Sequence, residues 1–210
     1  MFETAEILAF LTATIVLNVT PGNDVMFVAS QSLGAGIRGG ILAALGVSFG
    51  IIFHILALAL GLSELLVYYP WAFNAVKIGG ILYLVFLAFR AFKNGSKPMD
   101  LEVQPYTASG KIFLRGTLVN VLNPKVALFF LAFIPQFLNP GAGDVFLQVL
   151  ILGACFLASG TAVNMGYALL FGTTFSRMKN TVRFQKWINR LTGVVFIGLA
   201  FKLLMTERKA

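Results

Sequence analysis

The chain has 210 residues, of which 58% are hydrophobic and 11% charged. A soluble domain carries about 25% charged residues, and a water-exposed fold of this size could not hide so much apolar surface. The net charge of +8 fits basic loops beside a bilayer and excludes little else, but no zinc-finger or basic-zipper spacing supports nucleic-acid binding.

The chain begins with Glu3 and Glu6 in place of the basic start of a secretory leader, and no small-residue cleavage site follows. A membrane crossing needs about 20 apolar residues. The first apolar stretch, 5–33, is too long for one simple helix and carries Pro21-Gly22-Asn23-Asp24 in its interior. Proline removes a backbone donor and clashes with the preceding turn, so a break is expected there. The second stretch, 39–62, holds the single histidine, His54, and places Gly39, Ala43, Gly46 and Gly50 at helical spacing on one face. Such small residues let membrane helices approach closely, within the chain or between subunits of a homo-oligomer.

The third stretch covers 71–92. A polar segment, 93–115, follows as a cytoplasmic linker. The fourth stretch, 116–138, is interrupted by Asn123-Pro124-Lys125, a second expected break. The fifth, 145–175, contains Asn164 and the lone cysteine, Cys155, which reads as a small buried side chain. The sixth covers 187–205. No cofactor motif, phosphate-binding loop or metal-ligand cluster is present in this pattern.

The two halves resemble each other. Asn18-Val19 precedes Pro21-Gly22, and Asn120-Val121 precedes Asn123-Pro124. Leu87-Ala88-Phe89-Arg90 ends the third stretch, and Leu199-Ala200-Phe201-Lys202 ends the sixth. Three crossings per half would place the second copy upside down. The expected fold is therefore an all-α membrane protein of about six transmembrane helices. It is built as two inverted three-helix repeats, 1–92 and 116–210, each with a broken first helix, and paired broken helices mark the substrate site in such transporters. Arg38, Arg90, Lys93, Lys97, Lys111, Arg115, Arg177, Lys179, Arg183, Lys186 and Arg190 fall on one side; Lys77, Lys202, Arg208 and Lys209 fall on the other. The positive-inside rule puts the first group in the cytoplasm of a bacterial inner membrane and both termini outside.

A carboxylate deep in a membrane costs ~2.5–3.5 kcal/mol on insertion scales and calls for a function. Asp24 stands where the second half-helix of the first break should begin. It either caps that helix or holds an ammonium group or a proton. Lys125 stands at the matching start in the other half. With the backbone donors beside it, it suits a carboxylate, forms a salt bridge with Asp24, or snorkels to the interface. Asn18, Asn23, Asn120 and Asn123 are placed to bind backbone groups freed at Pro21, Gly22 and Pro124, or the substrate itself. His54 is a second candidate for proton coupling, or is bonded across helices.

At these residues the chain resembles the lysine exporter (LysE) superfamily in its RhtB-like branch. The likeness lies in Thr20-Pro21-Gly22, in Gly34-Ala35-Gly36-Ile37-Arg38-Gly39-Gly40 with Ala44-Leu45-Gly46, in Lys77 to Leu84, and in Val119 to Lys125 running into Phe133-Ile134-Pro135-Gln136-Phe137. It departs where the family usually has Pro-Gly-Pro and this chain has Pro21-Gly22-Asn23. The resemblance implies proton-driven efflux of neutral or basic amino acids or homoserine-type compounds, with no enzymatic reaction. The same residues also suit an ion or other small-solute exporter or channel of this fold.

Overall fold

A computed structural model describes residues 2–62, 70–93, 108–173 and 182–205. No strand occurs among them. Seven α-helices do: α1 Thr4–Val19, α2 Asn23–Ala57, α3 Pro70–Lys93, α4 Ser109–Val121, α5 Pro124–Leu128, α6 Val145–Thr173 and α7 Val182–Met205. A wider turn, Leu58–Leu62, extends α2, and the turns Phe129–Phe133 and Ile134–Phe137 extend α5.

Both predicted breaks are present, with a common cause. Thr20 precedes Pro21 and Asn123 precedes Pro124, and a residue before proline is pushed out of the helical region. Thr20 sits at φ −65°, ψ 123° and Asn123 at φ −79°, ψ 108°. The two helices flanking the second break meet at a 44° bend.

Helix α2 is two antiparallel arms, 23–35 and 37–57. Gly36 lies between them at φ 66°, ψ −169°, a left-handed position that glycine occupies at little cost. The reversal shows in the packing: a Cβ on Gly40 would collide with Ser32 Oγ, whereas a straight helix would hold these residues roughly 12 Å apart. The turn lies where the sequence separates the first two apolar stretches.

Helix α6 gives the scale. Its 29 residues span about 43 Å, enough to cross the ~30 Å of hydrocarbon. Along it, Gly153 meets Ile55, Gly160 meets Asn18, Gly40 lies against Ala168 and Gly172 meets Ile37. The second arm of α2 therefore runs antiparallel to α6. Helix α1 followed by the first arm runs parallel to it, with the break close to mid-height.

The second arm packs on α4 backbone to backbone. A Cβ on Gly46 would meet the Phe113 carbonyl, one on Gly50 would come 2.6 Å from Asn120 Cβ, and one on Gly116 2.8 Å from the Ala43 carbonyl. Thr117 Oγ1 donates to the Gly46 carbonyl across this seam at 3.1 Å. Thus Gly46 and Gly50 of the small-residue face make an intrachain seam. Helix α4 starts at Ser109, within the segment read as linker, because Ile112 is fully buried against the second arm while Lys111 and Arg115 stay exposed. Helices α3 and α7 run antiparallel, with Gly193 against the Phe92 ring and Lys77 Nζ donating to the Leu204 carbonyl at 3.4 Å.

The core is aromatic: Phe10, Phe129, Phe130, Phe133, Phe137 and Phe156 form one buried cluster. The outside is apolar as well, with Leu60 at 72% exposure, Leu82 at 65% and Leu122 at 75%. A chain in water does not present such a surface; lipid accepts it. The run 23–61 and α6 each contain an 18-residue window with the mean hydropathy of a membrane span, 2.4 and 2.0, although 23–61 doubles back at Gly36 and is not one straight crossing; the bent pair 109–121 with 124–137, counted as one span, makes a third. Lys97, Arg177, Lys179, Arg208 and Lys209, on which the charge asymmetry partly rests, lie outside the described residues.

Candidate functional site

Four helix ends meet where the breaks cross. A helix end leaves several backbone groups without intrahelical partners, so each end must find them elsewhere. At the end of α1, the Val16 carbonyl accepts from Thr20 N–H at 3.0 Å and from Thr20 Oγ1 at 2.8 Å. Lys125 Nζ donates to the Leu17 carbonyl at 3.1 Å and to the Thr20 carbonyl at 3.1 Å. Tyr167 Oη donates to the Val19 carbonyl at 2.7 Å. The carbonyl end of a helix carries partial negative charge, so a lysine there is electrostatically well placed. Gly22 makes room for it: a Cβ on Gly22 would lie 3.0 Å from Lys125 Nζ.

Helix α2 then begins with Gly22 as its cap residue, without a side-chain capping bond. Asp24 is in its first turn, where an acid suits the positive end of the helix. Asp24 is 7% exposed. Its Oδ2 accepts from Asn120 Nδ2 at 3.0 Å, whereas Oδ1 is buried without a hydrogen-bond partner. At the second break Asn123 caps α5 by accepting Lys125 N–H on Oδ1 at 3.0 Å. That bond fixes the amide's orientation and leaves Nδ2 buried, without a well-formed hydrogen bond but within electrostatic reach of the Asp24 carboxylate. Likewise the Asn120–Asp24 bond fixes the Asn120 amide, whose Oδ1 is buried and unpartnered. A buried polar group left unmet costs ~1–3 kcal/mol; two acceptors and one donor lack a well-formed bond around this crossing.

His54 is tied to the same place, its Nε2 3.1 Å from the Asn120 carbonyl and its ring 5.7 Å from that of Phe130. It is thus bonded across helices, one residue removed from the carboxylate. Asp24 and Lys125 share the crossing, but no salt bridge joins them; the lysine's bonds go to α1.

The residues singled out by sequence divide accordingly. Asp24, Asn120, Asn123, Lys125, Gly22, Pro21 and Pro124 gather at the crossing, with His54 behind Asn120. Asn23 is exposed. Asn18 faces α6, donating to Ser159 Oγ at 3.2 Å. Asn164 is buried on α6 with Oδ1 unpartnered. Cys155 is half-buried beside the aromatic core. Tyr167 was missed, although a tyrosine inside an apolar stretch needs a partner for its hydroxyl. Missed too was the α2–α6 bond between Ser48 and Thr161 hydroxyls, 2.7 Å. Among the described residues no cluster of three or more His, Cys, Asp or Glu could hold a metal ion.

An apolar exterior around a buried polar centre defines a helical membrane protein. The chain belongs to the family of LysE type translocators, whose family profile matches residues 15–207. It is 30% identical over 203 residues to the homoserine/homoserine lactone efflux protein of Salmonella typhimurium, covering 96% of this chain and 97% of that protein. It is also 30% identical over 200 residues to the leucine efflux protein of the same organism, covering 92% of each. An uncharacterized membrane protein of Vibrio cholerae is 28% identical over 204 residues, covering 97% of each. No solved structure matches.

Proposed function

We propose that this chain is a secondary transporter that exports amino acids or their derivatives from the cytoplasm in exchange for protons. The observation that carries the reading is the set of unmet buried atoms around Asp24. Asp24 Oδ1 and Asn120 Oδ1 are acceptors, and Asn123 Nδ2 is a donor. An ammonium group supplies donors and a carboxylate supplies acceptors, so a zwitterion satisfies both kinds. The relatives named for homoserine, homoserine lactone and leucine efflux fall in that chemical class.

In this mechanism Asp24 is never left as a bare charge at membrane depth. It is neutralised either by the substrate's ammonium or by a proton, and the two compete for it. Substrate arriving from the cytoplasm displaces the proton, and a proton arriving from outside displaces the substrate. His54, bonded to Asn120, is the second candidate for passing the proton. Two inverted repeats, 1–92 and 116–210, joined by a cytoplasmic linker at 93–115, rock about the crossing to expose it to each side in turn. Six crossings put both termini outside a bacterial inner membrane.

The test is efflux from cells loaded with amino acids through dipeptides. Wild type should speed release of some of them, and Asp24→Asn at equal membrane abundance should release them no faster than cells lacking the protein. Wild type equal to empty vector over a panel including homoserine and its lactone would end the amino-acid reading.

A further inference from the structure

Two buried amides stand apart from the crossing with nothing to bond. Gln31 is 1% exposed and Asn164 6%. Gln31 Oε1 and Asn164 Oδ1 have no partner, and neither side chain makes a hydrogen bond among the described residues. Gln148, equally buried at 0%, shows what a glutamine kept for structure looks like here. Its Oε1 accepts from Asn139 N–H at 2.8 Å. Its Nε2 donates to the carbonyls of Asn139 at 2.8 Å and Gly143 at 3.2 Å. An unmet buried amide destabilises a fold, so Gln31 and Asn164 need a reason other than packing.

Their positions supply one. Gln31 follows Asp24 by seven residues, two turns of the first arm of α2, so both occupy one face about 10 Å apart. The Gln31 carbonyl lies 2.8 Å from where a Cβ on Gly39 would be, which sets its depth close to the Gly36 turn. Asn164 lies between these two depths. It shares the α2-facing stripe of α6 with Thr161, bonded to Ser48, and with Ala168, against Gly40. The core here is made of short side chains, Val28, Ala43, Ala44, Val47 and Ala168 among them. On the far side of the crossing the core is the phenylalanine cluster, where Thr14 Oγ1 is the one comparable atom among the described residues.

We propose that Asn164 and Gln31 form a second polar station for the transported molecule, between Asp24 and the face that carries the Gly36 turn. An amide offers one acceptor and two donors, so by turning over it receives either an ammonium or a carboxylate. The inference rests on the export reading above and adds to it the route of entry. On that reading the exposed Arg38, Lys111 and Arg115 mark this face as cytoplasmic, and substrate meets Gln31 first, Asn164 next and Asp24 last.

The test uses the full chain with Gln31→Met or Asn164→Leu, each close in shape and without the amide. Purified in detergent, both variants should melt no lower than wild type, whereas Gln148→Met should melt several degrees lower. In cells loaded with leucine or homoserine through dipeptides, the internal concentration giving half-maximal release should rise about tenfold in each variant, the worth of one hydrogen bond to a charged group. Release at high load should recover to within twofold. If either variant fails to reach the membrane, the other decides. Lower melting with release reduced only in proportion to abundance would make the amides structural and overturn the proposal. An unchanged half-maximal concentration would place the route elsewhere and overturn it too. Wild-type cells that release neither leucine nor homoserine overturn the export reading itself, and the station with it.

Discussion

The two breaks are built from similar words and held by different means. Asp24 and Lys125 each occupy the second position of the helix that follows a break. An acid is at home at that end of a helix and a lysine is not. Asp24 therefore stays beside its own helix start, bonded to Asn120, while Lys125 turns away to another helix's carbonyl end. The second break closes locally, through the Asn123 side chain and the Lys125 N–H. The first has no side-chain cap of its own at Gly22 and depends on Lys125 and Tyr167, both far along the chain. On the proposed transport reading, the locally closed break is the fixed frame, and the break held by distant side chains is the one that substrate would release by competing for Lys125.

The sharpest way to break this contrast is Lys125→Met. It strands the Leu17 and Thr20 carbonyls at ~1–3 kcal/mol each, so the melting temperature in detergent should fall by about 10 °C and efflux should vanish. A Lys125→Met protein as stable as wild type would show that α1 does not need the lysine. Asn123→Ala removes a helix cap worth ~1 kcal/mol, and melting should drop by about 2–4 °C; it also removes the Nδ2 donor proposed for the substrate, so efflux per inserted protein should fall as well. Tyr167→Phe deletes one hydrogen bond, again worth ~1 kcal/mol, but on the movable side and away from the proposed substrate atoms. Its effect on efflux rate should therefore exceed its effect on melting. A Tyr167→Phe protein that loses stability but no rate would erase the distinction between frame and moving part.

Much of this was legible in the chain. X-Pro pairs favour a break, so Thr20-Pro21 and Asn123-Pro124 could be read locally, although Ile134 keeps helical geometry before Pro135. The gap between the apolar stretches 5–33 and 39–62 located the turn, though not the glycine, Gly36, that makes it. A carboxylate and a lysine at two helix starts suggested a shared centre. What sequence could not give was choice of neighbour. Asn120 bonds the Asp24 side chain, Asn18 bonds α6, and Asn23 points outward, although all three are asparagines near a break. Lys125 reaches α1 because Gly22 leaves space for it, and that space exists only once the two breaks cross. The seam of Gly46, Gly50 and Gly116 was half visible: periodicity showed a small-residue face on α2, but not that α4 would press its backbone against it.

The central claim is that Asp24 is shared between proton and substrate. The most direct measurement is proton entry into proteoliposomes loaded with leucine and a pH-sensitive dye, diluted into leucine-free buffer. Wild-type protein should acidify the lumen as leucine leaves, and Asp24→Asn, shown to be inserted and folded, should not. Acidification by Asp24→Asn at the wild-type rate would contradict the account.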